Sequence, residues 1–318
     1  MIFEVRGGLG DEVHATATVR EYKRARPQEV VRVFQPSRPK VWLHNPWLNW
    51  GETESAAPGE RAGRLLLRMD TADEKGQRFV QGQPVHRHAQ QLGFQAIEDQ
   101  PEIWLTPEEL AVDYIPEGRR ERTIAFDVGA GWESKRWPVE RWRTVIGALR
   151  DEGFDVVGIG SRDLCAGEGG IPLTRNFFGQ TDERELAVLL SQCALFLGHD
   201  SGPMHVAAAV GTPQVIIFGR TKWFNYAYHN TTSVFPYSEC GENCYRQCYR
   251  PPKVEGKFSH CIEEIPVERV LGSVRLAARR YAYRPSELRP ETRTVVPRKA
   301  WVERQEKLVA ARKARAVP

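Results

Sequence analysis

Leu195-Phe196-Leu197-Gly198-His199-Asp200-Ser201-Gly202-Pro203-Met204-His205 changes character at its midpoint. Leu195 to Gly198 is apolar and strand-like, Asp200 and Ser201 are residues that open helices, and Gly202 to Val210 reads as the helix. The N–H groups at such a helix start have no partners within the helix, and together with the helix dipole they attract a phosphate. Gly202 lets a ligand approach the backbone closely. The plain alternative is a well-capped helix without a ligand, and His199 and His205 taken alone are ordinary structural histidines.

The same alternation extends outward. Thr123 to Val128, Asp155 to Ile159 and Gln214 to Phe218 read as strands, and Pro138 to Arg150 and Glu183 to Cys193 as helices. At the other end, Met1 to Val5 is a strand and Arg6 to Asp11 a glycine-rich turn. A helix follows with Ala15, Val19 and Tyr22 on one face and Pro27 at its end, and Val30 to Phe34 is the next strand. Residues 35–63 read mostly as loop, and the charged, Pro-punctuated stretch 101–122 as a domain boundary. Repeated βα units with near-continuous apolar strands predict an α/β fold of two doubly wound, Rossmann-like domains, 1–115 and 122–281, facing a cleft. Ligands in such sheets bind at the carboxyl ends of the strands.

Composition sets the outer limits. Hydrophobic residues are 41% and charged residues 27% of 318, an ordinary globular balance that fits two cores. No apolar run approaches the roughly 20 residues of a membrane-spanning helix. Met1 opens directly on a strand with no secretory leader, so the expected location is the cytoplasm. The net charge of +4 belongs to the tail: Arg284 to Pro318 carries ten Lys or Arg against four Glu, which leaves the body at −2. No nucleic-acid partner is therefore expected of the body.

Two further motifs sit at strand ends. Asp127-Val128-Gly129-Ala130-Gly131-Trp132-Glu133-Ser134-Lys135-Arg136-Trp137-Pro138 is a glycine loop between a strand and a helix, and its Lys135 and Arg136 can neutralise a diphosphate. It lacks the Gly-x4-Gly-Lys-Ser/Thr spacing of a Walker loop. In the first turn, Gly8 and Gly10 precede Asp11, with His14 on the same helical face. Asp11 reads either as a helix N-cap or as a functional carboxylate.

Taken in order, Gly7-Gly8-Leu9-Gly10-Asp11, the Lys135-Arg136-Trp137-Pro138 loop and Asp200-Ser201-Gly202-Pro203-Met204-His205 resemble glycosyltransferase family 9, which contains ADP-heptose:lipopolysaccharide heptosyltransferases. Gly179-Gln180-Thr181, Gly211-Thr212-Pro213 and Phe218-Gly219-Arg220-Thr221 are similar to segments of that family too. The likeness is close over 123–281 and, in the first half, covers only 1–27. It implies the GT-B architecture and a metal-independent inverting transfer, in which an acceptor hydroxyl attacks the anomeric carbon as a nucleoside diphosphate leaves. On that resemblance Asp11 is the general base. Lys135, Ser201 and Gly202 hold the leaving group, with Arg136 as a helper. Asp200 and His205 contact the donor sugar or phosphates, Thr181 reads the base, and Gly8, Gly10 and His14 lie on the acceptor side. ADP-heptose is the leading donor, and the acceptor is a glycan or a protein hydroxyl.

Cys240, Cys244, Cys248 and Cys261 form a cluster whose spacing suits a tetrahedral structural site for Zn or Fe, or plain thiols. The resemblance adds an iron finger in this region in autotransporter heptosyltransferases, and unmetallated cysteines in many lipopolysaccharide enzymes. The basic segment 282–318 ends in a helix former with Trp301, Leu308 and Val309 roughly on one face. It reads as a crossing that docks on the first domain, or as a solvated tail, with peripheral contact to anionic lipid as the alternative. Rival readings are transfer of another nucleotide sugar, a nucleotide-binding module without catalysis, and a nucleic-acid-binding protein using the cysteines and the tail.

Overall fold

The computed structural model describes residues 1–34, 37–49, 64–67, 83–161, 170–219, 221–236 and 260–281. The first half runs β1 (Ile2–Val5), α1 (Leu9–Ala25), β2 (Arg32–Phe34), α2 (Pro39–Trp42), β3 (Arg64–Leu67), α3 (Pro84–Gln91) and α4 (Pro107–Leu110). Among the described residues its sheet has the order β2-β1-β3, with both pairings parallel.

The second half runs β4 (Thr123–Phe126), α5 (Val139–Asp151), β5 (Asp155–Gly158), β6 (Arg175–Asn176), α6 (Glu183–Ser191), β7 (Leu195–His199), α7 (Gly202–Ala209) and β8 (Gln214–Ile217). It continues through α8 (Trp223–Tyr226), β9 (Thr231–Val234), α9 (His260–Glu263) and α10 (Val267–Tyr281). The sheet order is β6-β5-β4-β7-β8-β9, every pairing parallel. Strands β4, β7 and β8 are buried along their whole length, which is why they read as unbroken apolar runs. Strand order reverses between β4 and β7, and a doubly wound sheet opens its binding crevice at such a point. The Asp127 loop and the Asp200 turn both leave the sheet there.

One face of the second sheet is covered by α5 and α10, whose Trp142, Ile146, Val270 and Val274 share a core with Ile124, Leu197 and Val215. The other face carries α6 and α7, and its core continues without a break into the first half through α1. Helix α1 is buried from Glu12 to Tyr22, although its sequence is largely polar. Its buried charged and hydroxyl groups find partners. Ser37 and the Trp42 indole donate to the Glu12 carboxylate, Arg20 pairs with Glu102 at 3.1 Å, and Thr18 bonds His88 at 2.9 Å. Helix α7 meets α1 near the starts of both helices, where Gly202 lies against Leu9 and Gly10 against His205.

Several elements depart from the sequence reading. Helix α2 lies inside the stretch expected to be loop, because Pro39 starts a single turn that buries Val41 and Trp42. Edge strands β6 and β9 carry too few apolar residues to announce themselves. Segment 101–105, expected at a boundary, is buried against the first half, where Glu102 accepts from the Trp104 indole as well as Arg20. Among the described residues no helix is long and apolar enough to cross a membrane.

Candidate active site

A cleft of about 740 Å³ lies between the two halves, at the carboxyl ends of β4 and β7 and the start of α1. The residues given catalytic, donor or acceptor roles from the sequence, Asp11, Lys135, Arg136, Thr181, Asp200, Ser201, Gly202, His205, Gly8, Gly10 and His14, all line it.

On the second-half wall, Ser201 takes the N-cap position of α7 in an extended conformation without capping the helix by its side chain. Its hydroxyl turns back to the His199 carbonyl at 3.3 Å. The helix start therefore keeps N–H groups to offer a ligand. Lys135 closes a short 3-10 turn, Glu133–Lys135, and its Nζ donates to Asp200 Oδ2 at 2.7 Å while lying over the Trp132 ring. Burial acts to raise the Asp200 carboxyl, but the Lys135 ammonium and His205 outweigh it and hold the group below its usual value. Arg136 is occupied differently from the sequence expectation of a helper cation: it folds back to donate to the Ala130 carbonyl at 3.0 and 3.2 Å, which fixes the glycine loop. Thr181 sits immediately before α6, where Asp182 accepts from the N–H groups of Arg184 and Glu185.

On the α1 wall, Asp11 is not the N-cap that the sequence offered as its plain reading: Gly8 takes that position, and Asp11 stands at the third helical residue. Its Oδ2 accepts from the Gly8 N–H at 2.7 Å, which closes the helix start, and it lines the cleft. Burial raises its pKa above the ordinary carboxylate value, against the pull of that backbone bond. A carboxylate so placed is a better proton acceptor than a free one. His14 stands one turn on, with His205 of α7 edge-on to it at 5.4 Å between ring centres.

The glycines do a different job from the one expected. A side chain at Gly202 would meet Leu9 of α1 at 3.1 Å, so its bareness serves helix approach instead of ligand approach. Gly10 likewise lies against His205 and the Gly202 backbone.

Two residues of the site escaped the sequence reading of roles. Asp127, at the carboxyl end of β4, accepts from the Gly129 N–H at 2.8 Å, and burial pushes its pKa up to about 7. Its place at a strand end beside a glycine loop was the available signal. Tyr228 bonds both His14 and His205, at 2.7 and 2.6 Å, and nothing in a chain separation of 214 residues could reveal that. His199, by contrast, is structural: its Nε2 accepts from the Trp137 N–H at 2.8 Å, and burial holds its pKa at about 3. Of the four cysteines, Cys240, Cys244 and Cys248 lie outside the described residues, as does segment 282–318, and Cys261 is buried in α9.

The sequence model of Glycosyltransferase family 9 (heptosyltransferase) matches residues 54–254, more than half of the chain. That match takes in part of the first half that the motifs leave uncovered, and does not include the Gly7–Asp11 turn. Lipopolysaccharide heptosyltransferase 2 of Escherichia coli is 35% identical over 106 residues, which are 30% of this chain and 30% of that protein. Solved structures agree over much more of the chain. Heptosyltransferase II of E. coli covers 88% of this chain and 98% of its own, with a TM-score of 0.61 at 18% identity. The iron-containing dodecameric heptosyltransferase TibC of enterotoxigenic E. coli, solved with ADP-D-beta-D-heptose, covers 88% and 76%, with a TM-score of 0.68 at 17% identity. These likenesses show a GT-B fold, with two Rossmann-like domains facing a cleft.

Proposed function

The chain belongs to glycosyltransferase family 9, and on that premise we propose that it transfers a sugar from a nucleoside diphosphate to an acceptor hydroxyl with inversion at the anomeric carbon. The observation that supports this most is the opposition across one cleft of the Asp11 carboxylate and the Lys135–Asp200 pair at the start of α7. In this reading the acceptor hydroxyl loses its proton to Asp11 as its oxygen attacks the anomeric carbon, and the bond to the diphosphate breaks. Lys135 and the α7 N–H groups receive the negative charge that develops on the leaving oxygen. Asp200 accepts from hydroxyls of the donor sugar, Thr181 contacts the base end, and Gly8, Gly10 and His14 face the acceptor. Domain limits of 1–115 and 122–281 belong to the same reading.

Our leading donor is ADP-heptose, supported by family membership and by the ligand named for TibC. The acceptor is a glycan or a protein hydroxyl. The four cysteines would hold one structural Zn or Fe through thiolates, a closed set that leaves no position for substrate.

Thermal-shift screening of ADP-, UDP- and GDP-activated sugars, followed by transfer assays with the sugar that stabilises, tests the proposal. A bound donor raises the melting temperature by mass action. A folded protein that none of them stabilises, and that transfers no sugar, overturns it.

A further inference from the structure

A buried hydrogen-bonded chain links two residues of the cleft wall, His14 and His205, through Tyr228. His14 Nδ1, Tyr228 Oη and His205 Nδ1 are linked at 2.7 and 2.6 Å, and all three side chains are buried. They come from α1, the segment after α8, and α7. Burial sets their protonation: His14 is pushed well below the usual imidazole value, His205 to about 4, and the Tyr228 phenol well above its own. Near neutral pH the chain is therefore two neutral imidazoles and one phenol.

A phenol has one proton to donate, and a neutral imidazole carries its proton on one nitrogen only. Tyr228 must donate to one Nδ1 and accept an N–H from the other, so the two histidines hold opposite tautomers. In one arrangement Tyr228 donates to His205, which then carries its proton on Nε2, and His14 donates from Nδ1 and keeps a bare Nε2. The reverse arrangement puts an N–H on His14 Nε2. That nitrogen is buried with no hydrogen-bond partner among the described residues. An orphaned buried donor is rarer than an under-used acceptor. The first arrangement, which leaves His14 Nε2 an acceptor, is therefore the one selected.

We propose that Tyr228 is a positioning residue that locks His205 as an Nε2–H donor facing the cleft, through a chain that also ties the Asp11 helix to the helix that cradles the diphosphate. The inference rests on the function proposed above for what His205 donates to: an oxygen of the diphosphate or of the donor sugar. No proton is transferred in this role. It holds a donor in place of an acceptor where an anion is to bind.

Nitrogen NMR of protein labelled at histidine reads which ring nitrogen carries the proton, with His14→Gln and His205→Gln variants giving the assignments. The expected spectrum has His205 in the Nε2–H form and His14 in the rarer Nδ1–H form. Two like tautomers, or the reversed pair, overturn the proposal. Tyr228→Phe removes only the linking hydroxyl. His14 is then expected to leave the Nδ1–H form and ADP affinity, measured by calorimetry, to fall roughly three- to tenfold, the worth of one neutral hydrogen bond. A folded variant unchanged in both respects also overturns it. If the variant does not fold, the wild-type spectrum still decides. Wild-type protein that binds no ADP overturns ADP-heptose as the donor, and the tautomer pattern then stands or falls by itself.

Discussion

Gly10 meets His205 edge-on across the two halves: a Cβ at position 10 would lie 2.8 Å from His205 Cδ2 and 3.3 Å from its Nε2. Helix propensity alone would favour Ala there by roughly 0.5–1 kcal/mol. Overpacking a fitted contact costs about 1–3 kcal/mol, so the contact term wins. Gly10→Ala is expected to lower stability by about 1 kcal/mol and to weaken ADP binding by displacing the His205 ring. Denaturation midpoints and calorimetry check this, and a more stable variant with unchanged ADP affinity contradicts the close apposition.

Asp11→Asn separates base from cap. Asparagine still offers an oxygen to the Gly8 N–H, so the helix start and the melting temperature should hold. It takes no proton, and turnover at saturating donor should fall roughly 10²–10⁴-fold while donor affinity barely changes. Near-normal turnover would return Asp11 to capping alone.

Lys135→Ala removes a cation from the cleft and leaves Asp200 buried without it. Donor affinity should drop by on the order of 1.5–3 kcal/mol, the worth of a charge-assisted contact. Stability should fall as well, and adding Asp200→Asn should recover the stability and not the affinity. Calorimetry and melting curves on the single and double variants test this, and an unchanged donor affinity in the folded single variant excludes Lys135 from the diphosphate.

Asp127 predicts a pH dependence. Its folded pKa of about 7 stands above the ordinary 3.8, so the native state holds the proton more tightly than the unfolded chain. The associated stability is fully present below pH 3.8 and lost as pH rises to about 7, on the order of 4 kcal/mol in all. Asp127→Asn does not titrate. The stability difference between variant and wild type should therefore move in favour of the variant by roughly 3 kcal/mol from about pH 5 to about pH 8. Urea titrations at the two pH values measure it, and a constant difference would mean that Asp127 is ionised throughout.

The cysteine cluster predicts about one equivalent of Zn or Fe in purified protein. Cys244→Ser should lose the metal together with stability. Elemental analysis and melting curves decide, and metal-free protein with four titratable thiols and an unchanged melting point would refute the site.

How much of this was legible in the sequence depends on distance along the chain. The Leu195–His199 strand, the turn at Asp200 and Ser201 and the helix from Gly202 are local patterns, written by apolar runs and helix-opening residues within a dozen positions. The strand-end loops that carry Lys135, Asp200 and Asp11 are legible for the same reason, and so is their convergence on a cleft, because parallel sheets place all such loops at one end. Edge strands β6 and β9 were not, since strands with little apolar face leave little period.

What only the tertiary structure decided are relationships between residues far apart. The polar helix α1 is buried because Glu102, Trp42 and His88, distant in sequence, satisfy its side chains. The bareness of Gly10 and Gly202 answers to His205 and Leu9, each on the opposite half. Tyr228 acquires its role from two histidines, one 214 residues away. Sequence by itself determined the elements and the chemical groups at their ends, because backbone propensity and burial periodicity are short-range. Partner choice, tautomer and pKa depend on what burial brings together, and packing alone settles that.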